Sequence, residues 1–205
     1  FPQMTIDWRY PFVRASGRTR QLIEPVAALV ISPNGSNPAA IPSEDSAVVE
    51  FDDTNILSAD RFPGIDRVES GQKVIYGVKF GVYGESDGRT TAFLGQSYRI
   101  HADNNLANDF GIERHLSDIV GRLEISPNRY IKLLYRFRSA QDRLQFKRNE
   151  VGFSLGAKAL NLAGSYLFID EDTNEVNFEE REEINVVLSS KIDDNWSIGL
   201  QTQRD

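Results

Sequence analysis

Chemistry in this chain has to come from carboxylates, two histidines, and the lysines and arginines, because there is no cysteine. His101-Ala102-Asp103 has the residue types of an Asp–His pair that takes a proton from water. No further residue completes it, and the polar stretch around it reads as solvated loop. Glu44, Asp45, Glu50, Asp52 and Asp53 crowd the kind of oxygens a hard divalent cation takes. Their spacing matches no EF-hand loop, so they read as a charged loop surface, and no metal site is expected. Glu171-Asp172 and Glu179-Glu180 read the same way. No phosphate-cradling glycine loop, nucleophile elbow or zinc signature occurs. The expectation is a protein without cofactor that is not an enzyme.

The basic residues are more ordered than the acidic ones. Lys73, Lys79, Arg99, Arg122, Lys132, Arg136, Arg138 and Lys191 each fall on the polar phase of an alternating run. Val74, Tyr76, Val78, Phe80 and Val82 alternate with Lys73, Gly77, Lys79 and Gly81, while Ile131, Leu133, Tyr135 and Phe137 alternate with Lys132, Arg136 and Arg138. Near the start Met4, Ile6, Trp8, Tyr10 and Phe12 share one phase; near the end Ile184, Val186, Leu188 and Ile192 do. Successive side chains of a strand point to opposite faces, so each run has one oily face and one wet face. The basic residues of the wet phase are candidates to line a lumen. Because Asp7, Glu124 and Glu183 are interleaved with them, cross-strand ion pairing is an equally good reading.

Strands are predicted at roughly 4–14, 18–32, 72–84, 89–100, 118–126, 130–141, 144–156, 160–170, 181–192 and 195–205. Tight connections at Ala15-Ser16-Gly17, Glu85-Ser86-Asp87-Gly88, Pro127-Asn128-Arg129, Ala157-Lys158-Ala159 and Asp193-Asp194 alternate with longer ones at 33–71, 101–117, near 142 and 171–180. Short turns on one side and long loops on the other are the habit of outer-membrane barrels. A Greek-key sandwich has no reason to sort its loops by side. The strands also approach the roughly 9–11 residues that a tilted membrane crossing needs. The fold class expected is therefore all-β, an antiparallel up-and-down meander of about ten strands. Residues 1–205 are read as a single, incomplete segment of a large transmembrane barrel, with a long extracellular loop at about 33–71.

Composition agrees by exclusion. A formal charge of −7, from 23 basic and 30 acidic residues, disfavours nucleic acid as a partner. No apolar run approaches the roughly 18 residues of a membrane helix, which says nothing against strands that need only alternate apolar positions. The chain opens on Phe1-Pro2-Gln3-Met4, without a basic and then apolar leader, and reads as an internal piece of something longer. An open sheet in lipid would leave unpaired edges, so further strands are expected outside it.

The most distinctive stretch runs from Ile41-Pro42-Ser43-Glu44-Asp45-Ser46 through Val49-Glu50-Phe51-Asp52-Asp53-Thr54-Asn55-Ile56-Leu57 to Arg61-Phe62-Pro63-Gly64-Ile65-Asp66-Arg67-Val68-Glu69-Ser70-Gly71. Ile23-Glu24-Pro25 precedes it and Val74-Ile75-Tyr76-Gly77-Val78 follows. Later come Ile125-Ser126-Pro127-Asn128, Tyr135-Arg136-Phe137-Arg138 and Arg148-Asn149-Glu150. The ordered set resembles the barrel domain of the LptD family, also called organic solvent tolerance protein or OstA. There a Glu-Pro strand precedes a long loop ending in Gly-x-Asp-Arg, and the next strand carries a Tyr-Gly or Thr-Gly pair.

The resemblance implies a role in the Gram-negative outer membrane: inserting lipopolysaccharide into the outer leaflet, with lipopolysaccharide as substrate. It implies as partners an LptE-like lipoprotein plug and, through a jellyroll domain not in this chain, the periplasmic lipopolysaccharide-bridge proteins. Disulfides of the family that tie the jellyroll to the barrel would lie outside this cysteine-free stretch. A general porin or uptake channel is the first alternative, and a soluble β-sandwich binding module the second.

A loop of nearly forty residues is either mobile or packed. This one holds Val48, Val49, Phe51, Ile56, Leu57, Phe62 and Ile65, which is too much apolar surface for a tether. Asp52-Asp53-Thr54-Asn55 is expected to cap a helical turn across Ile56 to Ala59. The loop is read as a lid over the barrel mouth, with Arg61, Gly64, Asp66 and Arg67 as its motif. In that reading Arg61, Asp66 and Arg67 bind the polar wall; the plainer reading is ordinary loop salt bridges.

Overall fold

The computed structural model describes residues 1–34, 51–62, 64, 67–85, 87–100, 115–141, 145–157, 159–170, 181–193 and 195–204. Their strands are β1 (Met4–Arg9), β2 (Phe12–Ser16), β3 (Thr19–Ile31), β4 (Gln72–Tyr83), β5 (Arg89–Arg99), β6 (Ile119–Asn128), β7 (Ile131–Ser139), β8 (Phe146–Ala157), β9 (Leu160–Ile169), β10 (Arg181–Lys191) and β11 (Ser197–Arg204). All lie in one antiparallel sheet, in the order β1-β3-β4-β5-β6-β7-β8-β9-β10-β11, with β2 also paired to β3. From β3 onward each strand pairs with the next, which is the meander expected. Among the described residues there is no helix, no second sheet and no pairing of β1 with β11. These residues form one open sheet, not two packed face to face.

The single strand expected over about 4–14 is two. Residues Met4–Arg9 and Phe12–Ser16 keep one register along β3, with Arg9 opposite Val26 and Phe12 opposite Ile23. Tyr10 therefore faces Pro25, and donates its N–H to the Pro25 carbonyl at 3.2 Å. Pro25 has no N–H to return, so the ladder loses a rung there. Eleven strands result instead of about ten.

Register fixes the two faces. On one face Ile23, Pro25, Ala27 and Leu29 of β3 stand opposite Phe80, Val78, Tyr76 and Val74 of β4. Those in turn oppose Ala92, Leu94, Gln96 and Tyr98 of β5. This outer face carries exposed apolar side chains from end to end, among them Trp8, Tyr76, Phe80, Leu94, Leu133, Val151, Leu162, Leu188 and Leu200. A soluble monomer rarely shows a contiguous apolar patch beyond a few hundred Å². On the inner face Glu24, Val26, Ala28 and Val30 oppose Lys79, Gly77, Ile75 and Lys73. The latter oppose Phe93, Gly95, Ser97 and Arg99.

The strand directions also sort the connections. Tight turns join β2–β3, β4–β5, β6–β7, β8–β9 and β10–β11 at one end, and the longer links all leave the other. At the long-link end the roots of the largest connection are tied together. Ser32 donates both its N–H (3.2 Å) and its hydroxyl (2.9 Å) to the Gly71 carbonyl, and the Gly71 N–H returns to Pro33 O at 3.2 Å. Gly71 has φ of +90°, a left-handed conformation that suits glycine.

Candidate functional site: a loop clamped to a charged wall

The main buried cluster joins the long loop to the inner face. Phe51, Ile56 and Phe62 of the loop pack with Ala28 and Val30 of β3, Ile75 of β4 and Val120 of β6, while Leu57, Ala59 and Phe93 flank them. Fully burying a Phe or Ile side chain contributes roughly 1.5–3 kcal/mol. The wall makes room for this. A Cβ on Gly95 would come within 2.9 Å of Ile56 Cδ1, and one on Gly77 within 2.7 Å of the Leu94 carbonyl.

Asp52 shapes the segment that delivers these side chains. Its Oδ1 accepts the Thr54 N–H at 2.8 Å, the Thr54 hydroxyl at 2.6 Å and the Asn55 N–H at 3.3 Å. Asn55 Oδ1 accepts the Asp52 N–H at 3.1 Å, and the Ile56 N–H closes a turn onto Asp52 O at 3.2 Å. The capped turn thus spans Asp53 to Leu57, several residues earlier than the Ile56–Ala59 turn expected. Asp52 is what caps it, because a short side chain reaches the free N–H groups two and three residues on.

Two carboxylates of the loop then enter the wall. Glu69 is fully buried and takes Lys73 Nζ at 2.6 Å and Arg99 Nη2 on opposite oxygens, with Arg61 Nη1 at 3.6 Å. Arg99 also donates to Ser70 O at 2.9 Å, and Arg61 donates to Ser97 Oγ at 3.2 Å. The Arg61 guanidinium lies 4.8 Å above the Phe51 ring, a cation–π contact. Asp53 stands between Arg122 (3.7 Å) and Arg136 (3.6 Å). In both clamps the wall cations are register partners: Lys73 faces Arg99, and Arg122 faces Arg136.

The carboxylates differ in their electrostatics. Burial drives the Glu69 carboxyl upward, but the charges of Arg61, Lys73 and Arg99 prevail and hold it below the ordinary carboxylate range. Burial lowers the Arg61 guanidinium, with Glu69 opposing and Arg99 adding to the effect. For Asp53 burial outweighs the attraction of Arg136 and Arg122, and the carboxyl is raised, with Asp52 adding to it.

The expected residues distribute unevenly around these clamps. Arg61 donates to Ser97 on the wall, while Arg67 is half-buried and makes no ion pair among the described residues. Gly64 is half-buried in a bend; Asp66 lies outside the described residues. Of the lumen-lining set, Lys73 and Arg99 are on the inner face but buried beneath the loop, with 3% and 4% exposure, so they do not line open space. Arg122 and Arg136 hold Asp53; Lys79 pairs with Glu24 at 3.9 Å, Arg138 pairs with Asp118 at 3.7 Å, and exposed Lys132 faces Ser154. His101, Asp103, Glu44, Asp45, Glu50, Glu171, Asp172, Glu179 and Glu180 lie outside the described residues. Among the described residues no group of three His, Asp or Glu is placed to hold a metal.

Glu69 is the residue that sequence reasoning passed over. The signal for it is on the page: two cations directly opposed on neighbouring strands repel, and need an anion nearby.

A single antiparallel wall, oily outside and charged inside, with a loop folded onto its charged side, defines a segment of a β-barrel. The chain belongs to the LptD family, described as LPS transport system D, which matches residues 1–196. No curated protein matches the chain in a sequence search. Family membership places the chain in lipopolysaccharide transport and assembly, as a transport component.

Proposed function

We propose that this sheet is a stretch of outer-membrane barrel wall through which lipopolysaccharide is passed to the outer leaflet, and that the loop at 33–71 is an extracellular lid over its lumen. The apolar face then meets lipid and the charged face the passage. The partners are lipopolysaccharide, an LptE-like lipoprotein plug, and periplasmic bridge proteins reached through a jellyroll beyond this chain. The observation carrying the lid is the loop's double attachment: Phe51, Ile56 and Phe62 fill an apolar patch on the inner wall, while Glu69 and Asp53 enter its cation pairs.

The test uses the full-length protein in a Gram-negative host. The double variant Phe51→Ser, Ile56→Ser, inserted at wild-type level, is expected to sensitise cells to detergents and bulky antibiotics. Unchanged resistance, with the loop shown to be released, would remove the lid. An epitope inserted between residues 34 and 51 is expected to be stained on intact cells. Staining only after the outer membrane is permeabilised would reverse the orientation.

A further inference from the structure

The two clamps look alike, but their charges do not balance in the same way. Around Asp53, the arginines have carboxylates of the wall itself. Glu124 lies 3.7 Å from Arg122, and Glu150 lies 3.7 Å from Arg136. With the loop withdrawn, that pair still has wall carboxylates beside it, although Glu124 is shared with Arg89 at 2.6 Å and Glu150 with Arg148 at 3.2 Å. Around Glu69 there are three cations, Arg61, Lys73 and Arg99, and one carboxylate, which the loop contributes. With the loop withdrawn, Lys73 and Arg99 face each other on adjacent strands, and among the described residues neither pairs with a wall carboxylate.

A buried group of net positive charge is costly unless an anion answers it. Arg61 belongs to the loop and leaves with Glu69, so the wall alone presents Lys73 and Arg99. Lys73 and Arg99 converge on the Glu69 carboxylate, and Ser97 Oγ on the same strand as Arg99 accepts from Arg61 while the loop is closed. Arginine presents a planar fork that fits a phosphate or carboxylate on two oxygens, and lysine supplies a mobile point charge. Glu69 is held on both oxygens, by Arg99 Nη2 on one and Lys73 Nζ on the other, while Arg99 Nη1 is taken by Ser70 O.

We propose that Lys73 and Arg99, with the hydroxyl of Ser97, form a phosphomonoester-binding site on the inner wall, and that Glu69 is a tethered stand-in occupying it while the loop is closed. The inference rests on the lid reading and adds to it what the lid covers. A phosphate arriving at the site competes with Glu69, so occupation and loop release are coupled. The Asp53 clamp, whose arginines keep Glu124 and Glu150 beside them, fastens the loop without covering such a site.

The experiment takes the full-length protein in phosphatidylcholine nanodiscs and titrates it with dihexanoyl phosphatidic acid and, separately, with inorganic phosphate. Glu69→Gln is expected to tighten binding by at least roughly tenfold, the gain growing with the share of time Glu69 holds the site. Gln201→Ala, on the face the loop does not cover, is expected to stay at wild type. Adding Lys73→Met and Arg99→Met to Glu69→Gln is expected to abolish the gain. A gain for the lipid alone identifies a headgroup site, and an equal gain for both probes a site for phosphate in general. No gain for either overturns the proposal. In wild-type protein, dihexanoyl phosphatidic acid is expected to speed hydrogen exchange in residues 51–62, and dihexanoyl phosphatidylcholine to leave it unchanged; no difference between the two overturns the proposal without any variant. If residues 51–62 exchange freely in wild type before any probe is added, it is the lid reading that fails.

Discussion

The inner face of β3–β6 and the inner face of β8–β11 belong to one sheet with one register rule, yet they are built from different residues. Under the loop the inner positions include Val26, Ala28, Val30, Ile75 and Val120, all buried, and the charges among them are paired at short range. Away from the loop the corresponding positions include Asn161, Ser165, Asn185, Ser189, Gln201 and Gln203 beside Ala163 and Val187, and no residue of β10 or β11 is buried. There the polar side chains bond one another across strands, as Asn161 does with Ser154 at 3.0 Å. The strand decides which way a side chain points. What lies over it decides what that side chain can be.

That contrast can be broken at graded cost. The largest effect is expected from Glu69→Gln, which leaves three cations without their carboxylate; removing one partner of a buried ion pair costs about 3–5 kcal/mol. It is read as lost protection of the Ile56 and Ser58 amides in hydrogen exchange of the full-length protein. Phe51→Ala, which empties a fully buried ring site, is expected to cost a similar or slightly smaller amount, within about 3–5 kcal/mol for such truncations. Its readout is again exchange in residues 51–62, with the β8–β11 amides unchanged. Asp52→Ala removes the cap of the loop's turn and is expected to lower the same protection by about 1 kcal/mol. Gln201→Ala on the uncovered face is expected to stay within about 0.5 kcal/mol. If Gln201→Ala destabilised the wall as much as Phe51→Ala did, the division into covered and uncovered faces would be void.

Acid sharpens the comparison within the loop itself. Asp53 is raised by burial, so relative to an open loop its contribution to closure improves as pH falls from above the raised value toward the ordinary carboxylate range. Glu69 is held low by its three cations, so its contribution is fully present above the ordinary glutamate value and is lost as pH falls through the depressed one. Acidification from neutrality should therefore first hold or tighten the loop and release it only below the usual carboxylate range. Exchange in residues 51–62 measured across that range checks the order; release beginning above it would contradict the assignment.

Much of the wall was readable beforehand because alternation and turn chemistry are local. The β4 register with Val74, Tyr76, Val78 and Phe80 outward needs only a period of two. The interruption at Tyr10 was not readable from residues 4–14 alone, because its cause, Pro25, sits on the neighbouring strand. The loop was legible as packed from its apolar content, and Asp52 as its cap. The identity of its clamps was not. Nothing local distinguishes Glu69, which is buried between two strands, from Arg67 two residues earlier, which makes no described ion pair; only the pairing of Lys73 with Arg99 selects it.

The knot of hydrogen bonds between Ser32 and Gly71 has a consequence for how this family member can vary. The excursion is already a closed ring at its base, so residues added between 34 and 51 lengthen a circuit whose ends stay where they were. Doubling such a circuit costs only about 0.6 kcal/mol in closure entropy. That stretch of the chain can therefore be redrawn, by evolution or by an engineer placing a tag, without moving a single pairing in the sheet.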